Sequence, residues 1–375
     1  MTGRAGTGAS LSTSDRNWLS RAAELAERGW GRVHPNPMVG CVLVKDGRVV
    51  GEGWHQQYGG AHAEVEAVKA AGRHAREATA YVSLEPCNHQ GKTPPCAELL
   101  IEAGIVRVVF GASDPGDEAG GGARHLASAG LAVDGPSDDP SLSTQVDPAF
   151  FHTIRNAQSY VVVKLAQSSD NAIAAKPGER TFLTGPTANR EVHRLRMGFD
   201  AILVGGLTAR IDDPRLTVRE GFRARVPPTR VVLDPGAELS TDARLFETIG
   251  EAPLIIVVTP AAPLARVRAL EQSGAEVQIV RAASVGADLH ETLARCWTLG
   301  LRSIFCEGGG RLARALVDAG LVQRLYLWRT PQRLGPEAVP GLLDVVEEDE
   351  GSGWSMVGAP RRFGDDILVT YDREA

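Results

Sequence analysis

Two short stretches carry the residues that decide the fold, His62-Ala63-Glu64 and Pro86-Cys87-Asn88-His89-Gln90-Gly91-Lys92-Thr93-Pro94-Pro95-Cys96. One histidine and two cysteines offer three of the nitrogen and sulfur donors that zinc prefers, and a catalytic zinc site keeps its fourth position open to water. Glu64 lies two residues beyond His62, so its carboxylate can reach that water without binding the metal. The pattern predicts a hydrolytic zinc centre with His62, Cys87 and Cys96 as ligands and Glu64 as catalytic acid and base.

The order of these residues is typical of zinc deaminases, which carry H-x-E followed by P-C-x-x-C. Here eight residues, rather than two, separate Cys87 from Cys96. An H-x-E triplet alone is common by chance, and two cysteines near the end of a strand can simply pack in a core. A structural zinc site normally has four protein ligands, and no fourth Cys or His stands at a suitable spacing. The two stretches together favour the catalytic site over both alternatives.

Length, charge and cysteine content exclude several classes of protein. A chain of 375 residues is long enough for two or three domains. The net charge is −6, with 40 Lys and Arg against 46 Asp and Glu, and no basic block is present, which argues against duplex DNA binding. Five cysteines are too few for a disulfide scaffold and indicate a reducing compartment. Only five of the 40 basic residues are lysines.

The first residues and the apolar runs of the sequence indicate the cellular location to expect. The first 14 residues contain no apolar stretch of the kind that a signal peptide needs. The longest apolar runs, such as 254–258, have the length of a strand and are too short to span a membrane. We therefore expect a cytoplasmic protein that contacts no membrane and has a disordered leader over residues 1–14.

Short β-branched runs alternate with segments rich in Ala, Leu and Arg, which predicts two α/β domains. In the first, over residues 15–147, we expect strands at 39–44, 49–52, 80–84, 106–110 and 131–133, and helices at 15–28, 61–71, 96–103 and 124–129. The segment 134–147, rich in Gly, Ser, Asp and Pro, predicts the boundary. In the second, over residues 148–375, we expect strands at 160–165, 201–204, 230–234, 254–258, 277–280, 303–306, 324–328 and 367–371, and helices at 187–196, 262–272, 287–299 and 312–319.

The second domain has glycines after two predicted strands, in Val204-Gly205-Gly206 and in Glu307-Gly308-Gly309-Gly310. Glycines at such positions let backbone N–H groups approach a phosphate. Between them, the run DDPRLTVR at 212–219 places paired acids beside arginines, a combination that suits a hydroxylated, phosphorylated ligand. A tight turn with surface ion pairs explains the same residues equally well, and the pattern alone leaves both interpretations open.

Four motifs of the first domain resemble, in order and spacing, the bifunctional riboflavin-biosynthesis deaminase/reductase family: HPNPMVGC at 34–41, GEGWH at 51–55, HAEV at 62–65 and EPCNHQGKTPPC at 85–96. The resemblance implies a cytidine-deaminase-like, three-layer domain with zinc on His62, Cys87 and Cys96 and a proton shuttle at Glu64. It places substrate contacts on Asn36, His55, His89, Lys92 and Asp114. The family's Asp-Pro-Asn-Pro motif is partly changed, since Gly116 stands where the asparagine is usual.

Further motifs are similar to the reductase half of that family, namely KLAQSSD at 164–170, TGP at 184–186, VHRLR at 192–196, DDPRLTVR at 212–219 and EGG at 307–309. The resemblance implies a dihydrofolate-reductase-like domain that uses NADPH. It assigns cofactor contacts to Ala166, Phe182, Thr208, Asp212, Gly309 and Gly310. It assigns substrate contacts to Lys164, Thr184, Arg196, Leu216, Arg219 and Glu307.

Four residues depart from the family pattern in this second half. Asn171 and Leu207 replace glycines, Phe182 replaces a tryptophan, and Arg180 replaces a serine. Asparagine tolerates left-handed backbone angles better than most residues, so we expect the turn at Asn171 to be kept. Arg180 is expected either to strengthen phosphate binding or to intrude on it.

These observations predict a two-domain α/β enzyme, most similar to a deaminase followed by a reductase. By the resemblance, the first domain hydrolyses the 2-amino group of diaminohydroxyphosphoribosylaminopyrimidine, and the second uses NADPH to open the ribosyl group to a ribityl chain. The partners expected are this pyrimidine ribosyl phosphate and further copies of the chain, with no nucleic acid.

Three other functions remain to be distinguished from that prediction. The chain could deaminate another nucleobase while the second domain serves as a binding module. It could be a zinc-stabilised protein without enzymatic activity. A nucleic-acid editor is the third possibility, although the sequence lacks the mixed aromatic and basic clusters that such proteins use.

Overall fold

The computed structural model describes residues 11–89, 94–116, 120–284, 286–342 and 353–374. The chain divides into two compact units, the first ending at Ala157 and the second beginning at Gln158. In the described ranges, none of the helices has the length and apolar character needed to cross a membrane.

The first unit is built on a five-stranded sheet of order β2-β1-β3-β4-β5. Strand β1 pairs antiparallel with β2 and β3, whereas β3, β4 and β5 run parallel. The strands are β1 (Gly40–Lys45), β2 (Arg48–Trp54), β3 (Thr79–Leu84), β4 (Arg107–Ala112) and β5 (Ala132–Asp134). The helices are α1 (Thr13–Ala26), α2 (Ala63–Ala71), α3 (Cys96–Glu102), α4 (Gly122–Ser128) and α5 (Pro148–Asn156).

Side chains alternate along β1 and place one core on each face of this sheet. Val42 and Val44 pack with Leu19 and Leu25 of α1 on one face. Cys41 and Leu43 pack on the other face, in a core that also contains buried residues of α2 and α3. The predicted three-layer arrangement is therefore confirmed.

Helix α1 begins earlier than expected because its first turn is capped and paired. Ser12 forms a capping box with Asp15, so the helix starts at Thr13, inside the predicted leader. Asp15 is buried and accepts hydrogen bonds from Arg107 and from the hydroxyl of Tyr81. Burial raises the pKa of Asp15, but the hydrogen bonds from Arg107, Ser12 and Tyr81 outweigh it and lower that pKa well below its usual value. This buried carboxylate fixes α1 on the sheet.

The second unit is built on one long sheet of order β11-β10-β9-β8-β12-β6-β13-β17-β15, with β16 paired to β17 and a separate β14–β7 pair. The strands from β11 to β13 are parallel, and β17 is antiparallel to β13. The strands are β6 (Tyr160–Gln167), β7 (Ala172–Ala174), β8 (Ala201–Gly205), β9 (Thr229–Leu233), β10 (Leu254–Val258), β11 (Glu276–Ile279), β12 (Ser303–Cys306), β13 (Arg324–Arg329), β14 (Val339–Pro340), β15 (Trp354–Met356), β16 (Arg361–Phe363) and β17 (Asp366–Arg373). The helices are α6 (Pro186–Arg196), α7 (Gly206–Asp212), α8 (Arg244–Glu247), α9 (Leu264–Gln272), α10 (Leu289–Thr298) and α11 (Gly310–Asp318).

The predicted elements are all present, with ends that shift by a few residues. The predictions omitted α5, α7, α8 and the short strands β7, β14, β15 and β16. Helix α5 follows the predicted boundary segment and belongs to the first unit, so the division lies after Ala157 rather than at residue 147. Asp147 attaches α5 to the first unit. Its carboxylate accepts the backbone N–H of Phe150, which caps the helix, and the backbone N–H of Met38.

Two glycines of β2 allow α2 to lie directly on the sheet. A methyl group on Gly53 would overlap the carbonyl oxygen of Ala63 and the backbone nitrogen of Ala67, and one on Gly51 would overlap the carbonyl oxygen of Ala67. Helix α2 begins immediately after His62 and contains Glu64. The close approach therefore sets the position of both residues.

We predict that Gly53→Ala destabilises the first unit by about 1–3 kcal/mol, because the added methyl group overpacks a rigid backbone contact. Gly250→Ala is the matched control, since a methyl group there meets no atom within 4 Å. Denaturant unfolding and zinc content of the purified variants measure the effect. Equal stability of the two variants would contradict the packing argument.

Candidate active sites

Three donor atoms converge at the start of two helices in the first unit. His62 is the N-cap residue of α2, Cys96 is the first residue of α3, and Cys87 follows β3. The donor atoms of these three residues all lie within 4.8 Å of one another. His62 Nδ1 is 3.3 Å from Cys96 Sγ and 3.6 Å from Cys87 Sγ. No fourth residue joins this set in the part of the chain that the structure describes.

The spacing of the donors fits a tetrahedral zinc ion. Zn–N distances of about 2.0–2.1 Å and Zn–S distances of about 2.3 Å place neighbouring donors about 3.5–3.8 Å apart. Hydrogen bonds from Cys96 and from His62 lower the pKa of the Cys87 thiol, which favours the thiolate that zinc binds. Three protein donors leave one position for a fourth ligand, as the sequence predicts.

Glu64 lies one residue inside α2 and only 3% of its surface is exposed. Burial raises the pKa of its carboxyl group, the Cys87 sulfur raises it further, and His62 opposes the shift. A carboxyl group whose pKa moves toward neutrality is suited to take up and release protons. The structure thus places Glu64 beside the metal donors in the environment that a proton carrier requires.

Asn36 and His55 form a second part of this site. His55 is buried, and its Nδ1 lies 2.9 Å from the carbonyl oxygen of Ala61, so Nδ1 must donate the proton. The other ring nitrogen, Nε2, then accepts from the Asn36 amide at 3.1 Å. Burial lowers the pKa of His55, which keeps the ring neutral and this tautomer intact. His55 thereby orients the Asn36 side chain, and its ring lies 5.6 Å from that of His62.

Asp114 is held by a network that the motif analysis did not predict. The Glu85 carboxylate accepts hydrogen bonds from the backbone N–H groups of Asp114, Gly121 and Ala123, and so ties the turn before Cys87 to the start of α4. Gly116 N–H donates to Asp114 Oδ1 at 2.8 Å. The glycine that replaces the family's asparagine therefore supports Asp114 through its backbone. Glu85 stands in the EPC motif, but its long-range partners are not visible in a sequence.

His89 and Lys92 are the remaining two predicted substrate residues of this unit. His89 is partly buried, and among the described residues its Nδ1 has no hydrogen-bond partner. The charge of His89 lowers the pKa of Asp114, against the larger effect of burial, which raises it. Lys92 lies outside the described residues.

The second unit has a buried ion pair at the carboxyl ends of its central strands. The Arg196 guanidinium forms two hydrogen bonds with the Glu307 carboxylate, of which the Nη2–Oε2 bond is 3.0 Å long, and both side chains are largely buried. Burial raises the pKa of Glu307, but Arg196 outweighs it and the net shift is downward. Lys164 of β6 lies near this pair: burial lowers its pKa, Glu307 raises it and Arg196 lowers it. These three predicted substrate residues are brought together.

Arg180, Phe182 and Asp212 form a neighbouring cluster. The Arg180 guanidinium lies 4.4 Å above the Phe182 ring and donates to the backbone oxygen of Asp212 at 2.9 Å. The Phe182 side chain is 70% exposed and is available to a planar ligand. Burial raises the pKa of Asp212, while Arg180 and Lys164 lower it. The serine-to-arginine change therefore adds a cation next to two predicted cofactor residues.

Three other predicted cofactor residues lie around the starts of α7 and α11. Gly309 is the N-cap residue of α11, Gly310 is its first residue, and Gly309 N–H donates to Thr208 Oγ1 of α7 at 3.0 Å. Ala166 is near the end of β6. The glycine-rich stretches thus begin helices, a position that suits phosphate binding, and α7 was not among the predicted helices.

The predicted substrate residues Leu216 and Arg219 lie in a loop after α7. Leu216 is buried, and Arg219 donates from its side chain to Thr217 Oγ1 at 2.7 Å. Thr184 lies at a separate turn, where its hydroxyl donates to Asn189. Asn171 has a φ of 63°, so the asparagine keeps the left-handed turn expected of the family's glycine.

Family models match both units, and they define the class of the protein. The cytidine and deoxycytidylate deaminase zinc-binding region matches residues 12–112, and the RibD C-terminal domain matches residues 159–352. The chain is a deaminase unit followed by a reductase unit. The predicted fold class, which pairs a cytidine-deaminase-like with a dihydrofolate-reductase-like domain, is confirmed.

Full-length relatives identify the family. The riboflavin biosynthesis protein RibD of Escherichia coli K12 is 38% identical over 355 residues, covering 89% of this chain and 93% of that protein. The RibD structure from Acinetobacter baumannii is 30% identical with a TM-score of 0.79, covering 96% of this chain and 99% of that one. The diaminohydroxyphosphoribosylaminopyrimidine deaminase/5-amino-6-(5-phosphoribosylamino)uracil reductase of Thermotoga maritima is 29% identical with a TM-score of 0.77, at the same coverage. The chain belongs to the RibD family of riboflavin biosynthesis proteins.

We predict that Glu85→Gln destabilises the first unit by about 1–3 kcal/mol and lowers its deaminase activity, because an amide cannot accept all the N–H groups that face it. Glu98→Gln is the control, since Glu98 is half-exposed and pairs only with His125 at 2.6 Å among the described residues. Denaturant unfolding and initial rates are compared for both variants. If the two variants have the same stability and the same initial rate, the hydrogen bonds of Glu85 contribute to neither property.

Proposed function

We propose that the first unit hydrolyses the 2-amino group of diaminohydroxyphosphoribosylaminopyrimidine and that the second reduces the ribosyl group of the product with NADPH. The observation that carries the proposal is the convergence of His62, Cys87 and Cys96 beside buried Glu64, in a chain that matches RibD over nearly its whole length. A nucleic-acid editor or a purely structural zinc protein explains neither the second unit nor the buried carboxyl group.

In the deaminase unit, zinc held by His62, Cys87 and Cys96 would lower the pKa of water and so supply a nucleophile near neutral pH. Glu64 takes a proton from the attacking water and delivers it to the adjacent ring nitrogen. It then carries the proton of the added hydroxyl group to the amino nitrogen, which leaves as ammonia while the amidine carbon becomes a carbonyl. The raised pKa of Glu64 suits both transfers. Asn36, oriented by neutral His55, binds the pyrimidine.

The charges of the remaining predicted residues indicate which part of the substrate each one binds. His89 and Lys92 lie in the insert between the two cysteines and supply positive charge for the 5′-phosphate. Asp114, positioned by Glu85 and Gly116, binds a polar group of the substrate.

In the reductase unit, NADPH would supply the hydride that reduces C1′ of the ribosyl group. The residues proposed to hold NADPH are Ala166, Phe182, Thr208, Asp212, Gly309 and Gly310. Those proposed to hold the sugar phosphate are Lys164, Thr184, Arg196, Leu216, Arg219 and Glu307. Arg219 forms no ion pair in the described part of the chain, so its guanidinium is available to an anionic ligand. These residues act by fixing the two carbons and excluding water.

The departures from the family pattern are compatible with an active reductase. Asn171 keeps its left-handed conformation, and Arg180 reaches the backbone of Asp212 without displacing the Arg196–Glu307 pair. We also expect a cytoplasmic location and a homo-oligomer, both of which stay predictions.

We predict that Glu64→Gln keeps the fold and zinc but lowers deamination at least about a hundredfold, because the amide cannot carry a proton. Glu66→Gln, on the same helix and partly exposed, is the control and should leave the rate unchanged. Zinc content, circular dichroism and ammonia release are measured together. Undiminished deamination by Glu64→Gln would rule out the assigned role.

Product masses test both steps in one experiment. With the pyrimidine phosphate alone, we predict only the mass change for replacing an amino group by an oxo group. Adding NADPH should then add the mass of two hydrogens, and Glu307→Gln should abolish that second change but not the first, because it breaks a buried ion pair. If only the first change occurs in the unaltered protein, the second unit is not a reductase of this product.

A further inference from the structure

The loop that carries Leu216 and Arg219 has an unusual backbone. Asp213, Leu216 and Glu220 have φ values of 40°, 54° and 61°, although none of them is glycine. Left-handed angles are unfavourable for such residues and persist only where the surroundings impose them. We call residues 213–220 the strained loop.

Helix α6 holds one side of the strained loop. His193 Nδ1 accepts the backbone N–H of Arg219 at 3.2 Å, and Arg196 Nη1 donates to the carbonyl oxygen of Thr217 at 3.1 Å. Arg196 is also the partner of Glu307. The loop is therefore attached to the ion pair of the proposed substrate site.

Helix α8 and Arg230 hold the other side. Asp213 Oδ1 accepts the backbone N–H of Arg244, and Arg215 pairs with Glu247 at 3.0 Å. Arg230, on β9, donates from Nη1 to the carbonyl oxygen of Arg215 at 3.3 Å and to that of Leu245 at 2.7 Å. One guanidinium therefore joins the backbone of the strained loop to that of α8.

The surroundings of Arg230 are unusual for a charged group. Its side chain is 0% exposed. Besides the two carbonyl oxygens above, it donates to Thr248 Oγ1 and to the carbonyl oxygens of Thr248, Ala252 and Pro253. No carboxylate lies within salt-bridge distance of it in the described ranges. Burial lowers its pKa to about 10 and the more distant Glu251 carboxylate opposes the shift, so the cation persists at neutral pH while all its hydrogen bonds go to neutral oxygens.

A buried charge with no directly bonded carboxylate among the described residues costs desolvation energy that an apolar side chain of similar size would avoid. What the guanidinium offers instead is five N–H donors in a rigid plane, which bind several chain segments at fixed angles. The segments bound here are the strained loop, α8 and the residues before β10.

We propose that Arg230 is a positioning residue of the reductase site, which acts by holding the strained loop so that Leu216 and Arg219 face the substrate. This inference rests on the proposed function of the second unit. Arg230 itself touches neither substrate nor cofactor.

The test compares Arg230→Met and Arg230→Lys with Ile256→Val in the full-length protein. Ile256 is fully buried in the same core cluster as Leu216 but makes none of the polar contacts of Arg230, so its variant controls for general loosening of the core. We measure KM and kcat of the reduction step, the deamination rate as an internal check, and hydrogen exchange of the amides at 216–219.

Arg230→Met should raise the KM for the deaminated pyrimidine phosphate at least tenfold, with a smaller effect on kcat. Arg230→Lys should recover part of the loss, because lysine keeps the charge and three donors. Hydrogen exchange of the amides at 216–219 should accelerate at least tenfold in Arg230→Met and Arg230→Lys but not in Ile256→Val. Deamination should be unchanged throughout.

Two results would overturn the proposal. One is an unchanged KM in a folded Arg230→Met protein. The other is exchange that accelerates evenly across the second unit, which would show that Arg230 is merely structural. If Arg230→Met does not fold, the lysine variant and its exchange pattern decide the question. Because exchange is measured without substrate, an inactive reductase in the unaltered protein would refute the proposed function and leave this measurement valid.

Discussion

The meeting of α2 and α3 at one end of the first sheet is the constraint on which the deaminase site depends. His62 and Cys96 stand at the starts of these helices, and Cys87 follows the strand between them. Gly51 and Gly53 let α2 approach β2 so closely that any larger residue would shift the helix. Glu64 lies on the same helix and is buried, and this burial raises the pKa of its carboxyl group.

In the first unit, glycines of β2 let a helix pack closely on the sheet. In the second unit, arginine side chains join the chain segments around the proposed site. Arg196 binds Glu307 and the backbone of Thr217, Arg180 binds the backbone of Asp212, and Arg230 binds six oxygens at once. Arg196 and Arg230 each use several donors of one planar guanidinium, which a lysine ammonium does not provide. Lys164 of β6 lies beside the Arg196–Glu307 pair.

The sequence was sufficient for the fold class, for most elements and for the three residues whose donor atoms converge, because these depend on local periodicity and on motifs. It assigned no helix between 205 and 229, where the structure has α7, and it left open whether the glycines after Val204 form a tight turn or approach a phosphate. The roles of Glu85, His193 and Arg230 were not predictable. Their partners lie far away in the chain, and a lone charged residue in a strand pattern is usually read as exposed. Only the folded chain shows that Arg230 is completely buried.

The central claim is that each unit carries a complete and separate active site. Mixing Glu64→Gln with Glu307→Gln tests it most directly, since each variant keeps one intact site. We predict that the equimolar mixture, given the pyrimidine phosphate and NADPH, forms the deaminated and reduced product, because the intermediate made by one chain is used by the other. The claim is contradicted if each variant performs its own step alone but the mixture forms no product that is both deaminated and reduced.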